Sequence, residues 1–174
     1  NTCIGINVPA MIAAVVAGDA TAAQAAILFT LQDEALRVTG GEMETLGDDL
    51  YLVFGQNYPK AYDGQNGIYT EQIVQFQVNM QPEPALVIKN KYTYSGADPN
   101  EFHRRDLNAV HGAVNGKEAI IAWSGVFKGT SGAWPNPILI APDGAGGVTT
   151  TVDANFTQKA NLYKSAVVIQ YDST

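Results

Sequence analysis

The chain has 174 residues, a formal net charge of −7 and a charged fraction of only 16%. Because its few Lys and Arg residues are scattered through a negative chain, nucleic acid is not an expected partner. No apolar run reaches the roughly 20 residues that a membrane-spanning helix needs. Cys3 is the only cysteine, which excludes an internal disulfide and any zinc site built on two or more thiolates.

Residues 1–36 include an alanine-rich stretch that predicts a helical hairpin. This hairpin is expected to be an insertion or a cap. Pro9 fits the first turn of one helix, and Gly18 fits the position just past its end. Thr21 is the expected cap of a second short helix, Ala22–Phe29. The side chains expected to pack the hairpin against the rest of the protein are Ile12, Val15, Val16, Ile27 and Leu28. A membrane-surface helix is the alternative, but neither helix carries Lys or Arg.

Residues 37–174 predict β-strands in repeated units of four. In each unit a hairpin turn, Gly47-Asp48-Asp49 or Asn115-Gly116-Lys117, precedes an apolar strand that ends at a glycine. The eight strands are Arg37–Leu46, Leu50–Gly55, Glu71–Asn79, Ala85–Tyr94, Arg105–Val114, Glu118–Phe127, Pro137–Ala141 and Val148–Phe156. Repeated four-stranded antiparallel units predict the blades of a partial β-propeller, and a compact β-sandwich is the alternative fold.

A third unit begins at the apolar segment Tyr163–Tyr171, and the sequence ends at Asp172-Ser173-Thr174, where the next turn is expected. An open strand edge of this kind is an aggregation template that native proteins cover. We therefore expect Tyr163–Tyr171 to pair either with more of the same polypeptide or with another subunit. The 174-residue chain alone is expected to aggregate or to fold poorly.

Two apolar runs end at a glycine, LYLVFG (Leu50–Gly55) and AIIAWSG (Ala119–Gly125). Four other stretches carry the same likeness, namely FHRRDLN (Phe102–Asn108), SGVF (Ser124–Phe127), GAW (Gly132–Trp134) and NFTQKANLYKSA (Asn155–Ala166). Together they resemble the kelch-like β-propellers of secreted bacterial proteins. The resemblance implies a fragment of two to three blades that binds other proteins. The copper-dependent galactose-oxidase group of that family uses tyrosine, histidine and a thioether-linked cysteine, and no residues here match that site.

The candidate ligand-binding residues are aromatic and basic side chains of predicted loops, namely Tyr58, Tyr62, Tyr69, Arg104, Arg105 and Trp134. Exposed aromatic rings stack on sugars or anchor a protein partner, and paired arginines grip a carboxylate or a sulfate. Each residue also has a structural alternative. The rings can pack on a sheet, and the arginines can pair with Asp106 or Glu101.

No metal, cofactor or catalytic group is predicted. His103 and His111 are the only histidines, and at roughly 3.3 Å per extended residue they lie too far apart to share a metal. Asp48-Asp49 suits a hairpin turn, while the loop at residues 63–67 is the roomier candidate for calcium or a ligand. Gly144–Gly147 precedes no predicted helix and so lacks the context of a phosphate-binding loop.

The sequence thus predicts a non-catalytic binding module, secreted or on the cell surface, that recognises protein or carbohydrate. One alternative is a structural subunit of an extracellular assembly that neighbouring chains complete. The other alternative is a fragment of a propeller enzyme whose active residues lie outside this sequence.

Overall fold

The structure of the chain, a computed structural model, is mainly β, as predicted. The described residues are 1–59, 67–128, 132–161 and 164–168. The chain divides into two units, Asn1–Arg37 with Val78–Val87 and Val38–Gln77 with Ile88–Thr174. Among the described residues, neither helix is long and apolar enough to cross a membrane.

The first unit contains two antiparallel strands with two short helices between them in the chain. Its elements are β1 (Thr2–Ile6), α1 (Val8–Ala17), α2 (Ala20–Ala25), β2 (Ile27–Gln32) and a 3-10 turn (Glu34–Leu36). Asn7 caps α1 by accepting a hydrogen bond from the backbone N–H of Ala10, at 3.1 Å. Asp19 caps α2 in the same way. Gly18 ends α1 in the left-handed conformation, with φ of 67°, which confirms its predicted position.

The predicted second helix, Ala22–Phe29 with Thr21 as its cap, is wrong in its bounds and in its cap. The helix α2 begins after Asp19 and ends at Ala25, and the chain then enters β2. Strand β2 pairs with β1 along its length, and the ring of Phe29 lies over Gly5. Ile and Phe side chains favour extended chain when a partner strand is present. No strand is predicted from the sequence for residues 2–6, so a partner for residues 27–32 was not expected.

The expected packing of the hairpin is also wrong. Ala14 is the only buried residue of α1. The predicted packing residues Ile12, Val15, Val16 and Leu28 are instead 58%, 66%, 83% and 55% exposed, and Ile27 is half-buried. The reason is that the face of α1 with Ala14 and the half-buried Met11 points inward. The face with the branched side chains points to solvent.

The second unit contains two four-stranded antiparallel sheets with the same strand order, and residues 78–79 and 85–87 of these sheets fall within the first unit. The strands of the first sheet are β3 (Glu42–Leu46), β4 (Asp49–Val53), β7 (Ile73–Asn79) and β8 (Ala85–Tyr92). The strands of the second sheet are β9 (Asn108–Val114), β10 (Lys117–Trp123), β13 (Ile138–Pro142) and β14 (Val148–Val152). Two short ribbons leave the sheets, β5 (Gln56–Asn57) with β6 (Ile68–Tyr69) and β11 (Val126–Lys128) with β12 (Gly132–Ala133).

The two strands predicted to be equivalent, Leu50–Gly55 and Ala119–Gly125, each lie second in their own sheet. Both end sooner than predicted, because the chain breaks at two consecutive residues with positive φ. These are Phe54 and Gly55 (54° and 92°) after β4, and Ser124 and Gly125 (58° and 109°) after β10. The breaks turn the chain out of the sheet and into the short ribbons. For the same reason the predicted strand Glu118–Phe127 is two strands, β10 and β11.

Both sheets contribute to one hydrophobic core. Its buried members are Leu46, Tyr51, Val53, Phe54, Ile73, Phe102, Leu107, Ala109, Ile120, Ala122, Ile138, Ile140 and Val148. Phe102 lies in the segment between the sheets, and its ring centroid is 4.7 Å from that of Phe54 and 5.3 Å from that of Tyr94. Among the described residues the sheets do not close into a ring.

The predicted strand Tyr163–Tyr171 is only partly described, and its described residues, 164–168, form no strand. Instead this segment is held by side chains. Lys164 Nζ lies 2.8 Å from a carboxylate oxygen of Glu42. The backbone N–H of Ser165 donates to the side chain of Asn108 at 2.8 Å. Residues 163 and 169–171 lie outside the described part of the chain, so pairing of this segment with a partner stays a prediction.

Substitution of Gly55 tests how tightly the break after β4 is packed. Gly55 and Gly146 have nearly the same φ, +92° and +91°, but an added Cβ at Gly55 would lie 2.6 Å from Val38 Cγ1 whereas Gly146 borders open space. We expect Gly146→Ala to lower the free energy of unfolding by about 1 kcal/mol through backbone strain alone. Gly55→Ala should lower it by about 2–4 kcal/mol, because overlap adds to strain. Equal losses in denaturant titrations would contradict this packing.

Candidate functional site

Five of the six predicted ligand-binding residues meet around the segment His103-Arg104-Arg105. The guanidinium of Arg104 lies 4.9 Å from the centroid of the Trp134 ring. Arg105 donates a hydrogen bond to the hydroxyl of Tyr58 at 2.7 Å, and its Cζ lies 5.8 Å from the ring centroid of Tyr69. Tyr62, the sixth residue, lies outside the described part of the chain. We call this group the arginine cluster.

Arg104 holds the arginine cluster together from inside the protein. Its side chain is fully buried, and its Nε donates to the carbonyl of Glu101 at 2.7 Å. One terminal nitrogen pairs with the Glu101 carboxylate at 2.6 Å, and the other donates to the carbonyls of Ser124 (2.9 Å) and Asn136 (2.8 Å). Burial lowers the pKa of Arg104, and the Glu101 carboxylate opposes that shift. Its donors are therefore committed to the fold, as in the structural alternative.

Trp134 is likewise part of the interior. It is 3% exposed, and its indole N–H donates to the carbonyl of His103 at 2.9 Å. The Lys128 ammonium lies 4.5 Å from its ring centroid, in addition to the Arg104 guanidinium. A ring that is buried and covered by two cations is not available to stack on a sugar.

The tyrosines of the arginine cluster also contact protein groups. The ring of Tyr69 stacks on that of His103, with centroids 3.6 Å apart, and burial raises the pKa of Tyr69. His103 Nδ1 lies 2.7 Å from a carboxylate oxygen of Glu71. Tyr58 accepts a hydrogen bond from the Gln56 side chain at 2.6 Å. The cluster thus joins the β5–β6 ribbon to residues 103–105, and we assign it to the fold.

A second group of polar side chains lies where β4, β7 and β8 face the loop between β13 and β14. Gln75, which is fully buried, donates through Nε2 to Asp49 and to the carbonyl of Gly146, the latter at 2.9 Å. Its Oε1 accepts hydrogen bonds from Asn90 at 2.8 Å and from the hydroxyl of Tyr92. We call this group the Gln75 network.

Sequence reasoning missed the Gln75 network. Strand β7 reads IVQFQVN, and Gln75 shares a face with Ile73 because side chains alternate along a strand. Val74 and Phe76, on the opposite face, are buried as well. The signal for the network in the sequence is Gln75 itself, a glutamine near the centre of a strand that is buried on both faces. It indicates a buried amide whose partners come from elsewhere in the fold.

Asp49 is the charged member of the network. Both of its oxygens accept hydrogen bonds from Lys89 Nζ, at 3.0 and 2.9 Å. Burial alone would raise the pKa of Asp49, but the bonds from Lys89 and Gln75 outweigh burial and lower it. Asp49 is therefore a structural carboxylate, although the sequence places it in a hairpin turn.

An open cleft of about 650 Å³ lies beside the Gln75 network. It is lined by Lys89, Asn90, Tyr92, Asp143, Ala145, Gly146 and Gly147. A neighbouring depression of about 380 Å³ shares Lys89, Gly146 and Gly147 and reaches Asp48 and Glu118. One side of the cleft is thus the edge strand β8, and the other side is the loop between β13 and β14.

Asp143 shapes the loop side of the cleft. Its Oδ1 accepts the backbone N–H groups of Ala145 (2.7 Å) and Gly147 (2.9 Å), and these bonds lower the pKa of Asp143. Its Oδ2 has no hydrogen-bond partner among the described residues. A side chain at Gly147 would stand 2.7 Å from that oxygen and 2.9 Å from the hydroxyl of Tyr92. Because residue 147 is a glycine, the acceptor Oδ2 of Asp143 and the hydroxyl of Tyr92 are both left uncovered at this place.

Metal-binding groups do not gather in the described residues, where no three His, Cys, Asp or Glu side chains could hold one ion. His103 lies in the arginine cluster, whereas His111 Nε2 lies 3.9 Å from Glu118 on neighbouring β10. No protein-family model, curated protein or solved structure matches the chain. Its function must therefore be argued from the side chains themselves.

Removal of Gln75 tests the network. The substitution Gln75→Ala removes the hydrogen bonds to partners on two strands, β4 and β8, and on one loop, and it leaves the buried Asp49 without one of its donors. We expect the free energy of unfolding to fall by about 2–4 kcal/mol, measured by denaturant titration. The control Gln32→Ala, at an exposed position of β2, should change it by less than about 0.5 kcal/mol. A similar small effect for both variants would show that the network does not support the fold.

The lowered pKa of Asp49 predicts a dependence of stability on pH. Because the folded pKa lies below the ordinary value of 3.8, the stabilisation is present above that pH and is lost as the pH falls through the folded pKa. We expect Lys89→Met to shrink or reverse this contribution, because burial then dominates. Unfolding free energies measured from pH 2.5 to 7 should show the loss in the wild type. They should show it equally in the control Lys91→Met, since Lys91 is exposed.

Proposed function

We propose that the chain is a non-catalytic, extracellular binding module whose cleft recognises a carbohydrate. The observation that carries this proposal is the pairing of an open cleft with a wall fixed by the Gln75 network. Binding groups that are already held by buried hydrogen bonds lose little conformational freedom when a ligand arrives. The extracellular part of the proposal follows from the resemblance of residues 37–174 to the kelch-like propellers of secreted proteins.

The groups that line the cleft suit hydroxyl-rich ligands. A sugar hydroxyl is both donor and acceptor, so its site must offer both kinds of group. Asp143 Oδ2 is an acceptor, and Lys89 Nζ retains a hydrogen beyond the two that point to Asp49. The partly buried ring of Tyr92 adds an apolar surface next to the polar groups, a common arrangement in small-molecule sites.

The carboxylates in and beside the cleft support binding without catalysis. Asp143 lines the cleft and Asp49 lines the neighbouring depression. Both have lowered pKa values, so both are ionised at neutral pH. Hydrolysis of a glycosidic bond requires one carboxyl with a raised pKa that donates a proton to the leaving oxygen. The alternative of a propeller enzyme therefore places its active residues outside this cleft.

The kelch-like propeller remains part of the proposal. The two sheets share a strand order, a hairpin between the first two strands and a positive-φ break after the second strand. Tandem units of this kind support an interpretation of the sheets as neighbouring blades. In that interpretation the cleft lies between β8, the outer strand of the first blade, and the β13–β14 loop of the second blade.

Substitution of Asp143 tests the carbohydrate site. Asp143→Asn keeps an oxygen that accepts the N–H groups of Ala145 and Gly147 but replaces Oδ2 with a donor. We expect the dissociation constant for the best ligand from a glycan array to rise about tenfold or more, as measured by calorimetry. The matched control is Asp153→Asn, because Asp153 also accepts a backbone N–H two residues ahead, that of Asn155.

The proposal has two ways to fail in this experiment. The absence of any bound glycan on the array would contradict carbohydrate recognition by this chain. A loss of affinity of the same size in Asp153→Asn would show that the effect does not arise in the cleft.

A further inference from the structure

Helix α1 is apolar on every side, and most of its surface faces solvent. Its exposed aliphatic side chains are Val8, Ile12, Val15 and Val16, which recur at the spacing of one helix face. A helix that is apolar all round is normally buried, and a helix of ten residues gains its stability from packing more than from propensity. The exposed face of α1 is therefore a surface that a partner covers.

The exposed aliphatic surface of α1 suits a small, weak interface. At on the order of 100 Å² for each side chain, the four exposed residues of α1 present roughly 400 Å². One partner in a stable protein complex contributes about 800 Å², so we expect a contact through α1 to be weak and to depend on concentration. Strands β1 and β2 of the same unit expose three further aliphatic side chains, Ile4, Ile6 and Leu28.

The charge distribution favours a second copy of this chain as the partner. Residues 2–32 contain one charged side chain, Asp19, so the other 16 acidic and all 10 basic residues follow residue 32. Two copies of an acidic chain repel each other through most of their surfaces, but not through this one. An apolar surface also complements itself, as a two-fold interface requires, because it has no donors and acceptors to match.

We propose that α1 is a self-association surface on which a second copy packs its own α1 about a two-fold axis. Ile12, Val15 and Val16 lie at the centre of this interface, and the small side chain of Ala13 lets the two helices approach closely. A membrane surface fits less well, because α1 has no Lys or Arg and an acidic chain is repelled by anionic lipid. The proposal does not depend on a ligand in the cleft.

Sedimentation equilibrium of the full chain, from about 1 to 500 μM, tests the association. We expect the weight-average mass to rise from monomer to dimer with concentration. Val16→Glu places two like charges at the interface, so the dissociation constant should rise about thirtyfold or more. The matched control is Met43→Glu, because Met43 is also an exposed apolar residue, at 58% against 83% for Val16, but lies on β3 and not on α1. This control should dimerise like the wild type.

Cross-linking identifies the surface independently of affinity. Cys3 is the only cysteine, so Cys3→Ser provides a background without thiols. We expect Cys3→Ser/Val16→Cys to form a disulfide-linked dimer on mild oxidation, and Cys3→Ser/Met43→Cys to remain monomeric under the same conditions. Circular dichroism confirms that each variant is folded.

Three results would overturn the proposal. One is a monomer at every concentration, and another is a Val16→Glu variant that dimerises as tightly as the wild type. The third is a monomer that sediments with neutral phosphatidylcholine vesicles through α1, since lipid rather than a second copy would then cover the helix.

Discussion

The side chain of Gln75 uses all four of its hydrogen-bonding positions, and the arrangement around the cleft depends on that constraint. An amide has two donor hydrogens and two acceptor lone pairs, and here they meet Asp49, Gly146, Asn90 and Tyr92. A buried amide that misses a partner costs about 1–3 kcal/mol, so each partner is held in place by the others. The wall of the cleft and its loop are thus joined through this one buried group.

Arg104 shows the same constraint at a charged group. A buried guanidinium must direct its donors to acceptors, and the carbonyls of Glu101, Ser124 and Asn136 supply them. The carbonyl of Ser124 is available because the chain breaks out of β10 there, with positive φ at Ser124 and Gly125. A Cβ at Gly125 would stand 2.8 Å from Cβ of Arg104. The glycine that ends the strand is thus required by the arginine that it contacts.

The sequence predicted those features that depend on neighbouring residues. Two hairpin turns, the mainly β fold and the cap at Gly18 could all be predicted, because turn glycines and alternating apolar residues are patterns within a few neighbouring positions. The strand β2 was not readable, because its partner β1 lies more than 20 residues earlier. The Gln75 network joins residues 26 and 71 positions apart, and no local pattern encodes such a contact. Arg104 and Trp134 were predicted separately as ligand-binding residues, whereas in the structure both are buried and in contact with each other.

The two units have different surfaces, and that difference bears on how a binding module would act. The buried polar networks lie in the second unit, whereas residues 2–32 of the first unit carry Asp19 as their one charged side chain. An uncharged apolar surface has nothing that prevents association, and native monomers usually avoid such surfaces. If α1 joins two copies and the cleft binds a sugar, each dimer presents two clefts. Two linked sites can exceed the affinity of one by about 10²–10⁴ when a polymeric ligand reaches both. A shallow, open cleft that binds one sugar weakly then suffices for tight attachment to a polysaccharide. In that case the apolar helix contributes to ligand binding by placing two polar clefts in one dimer.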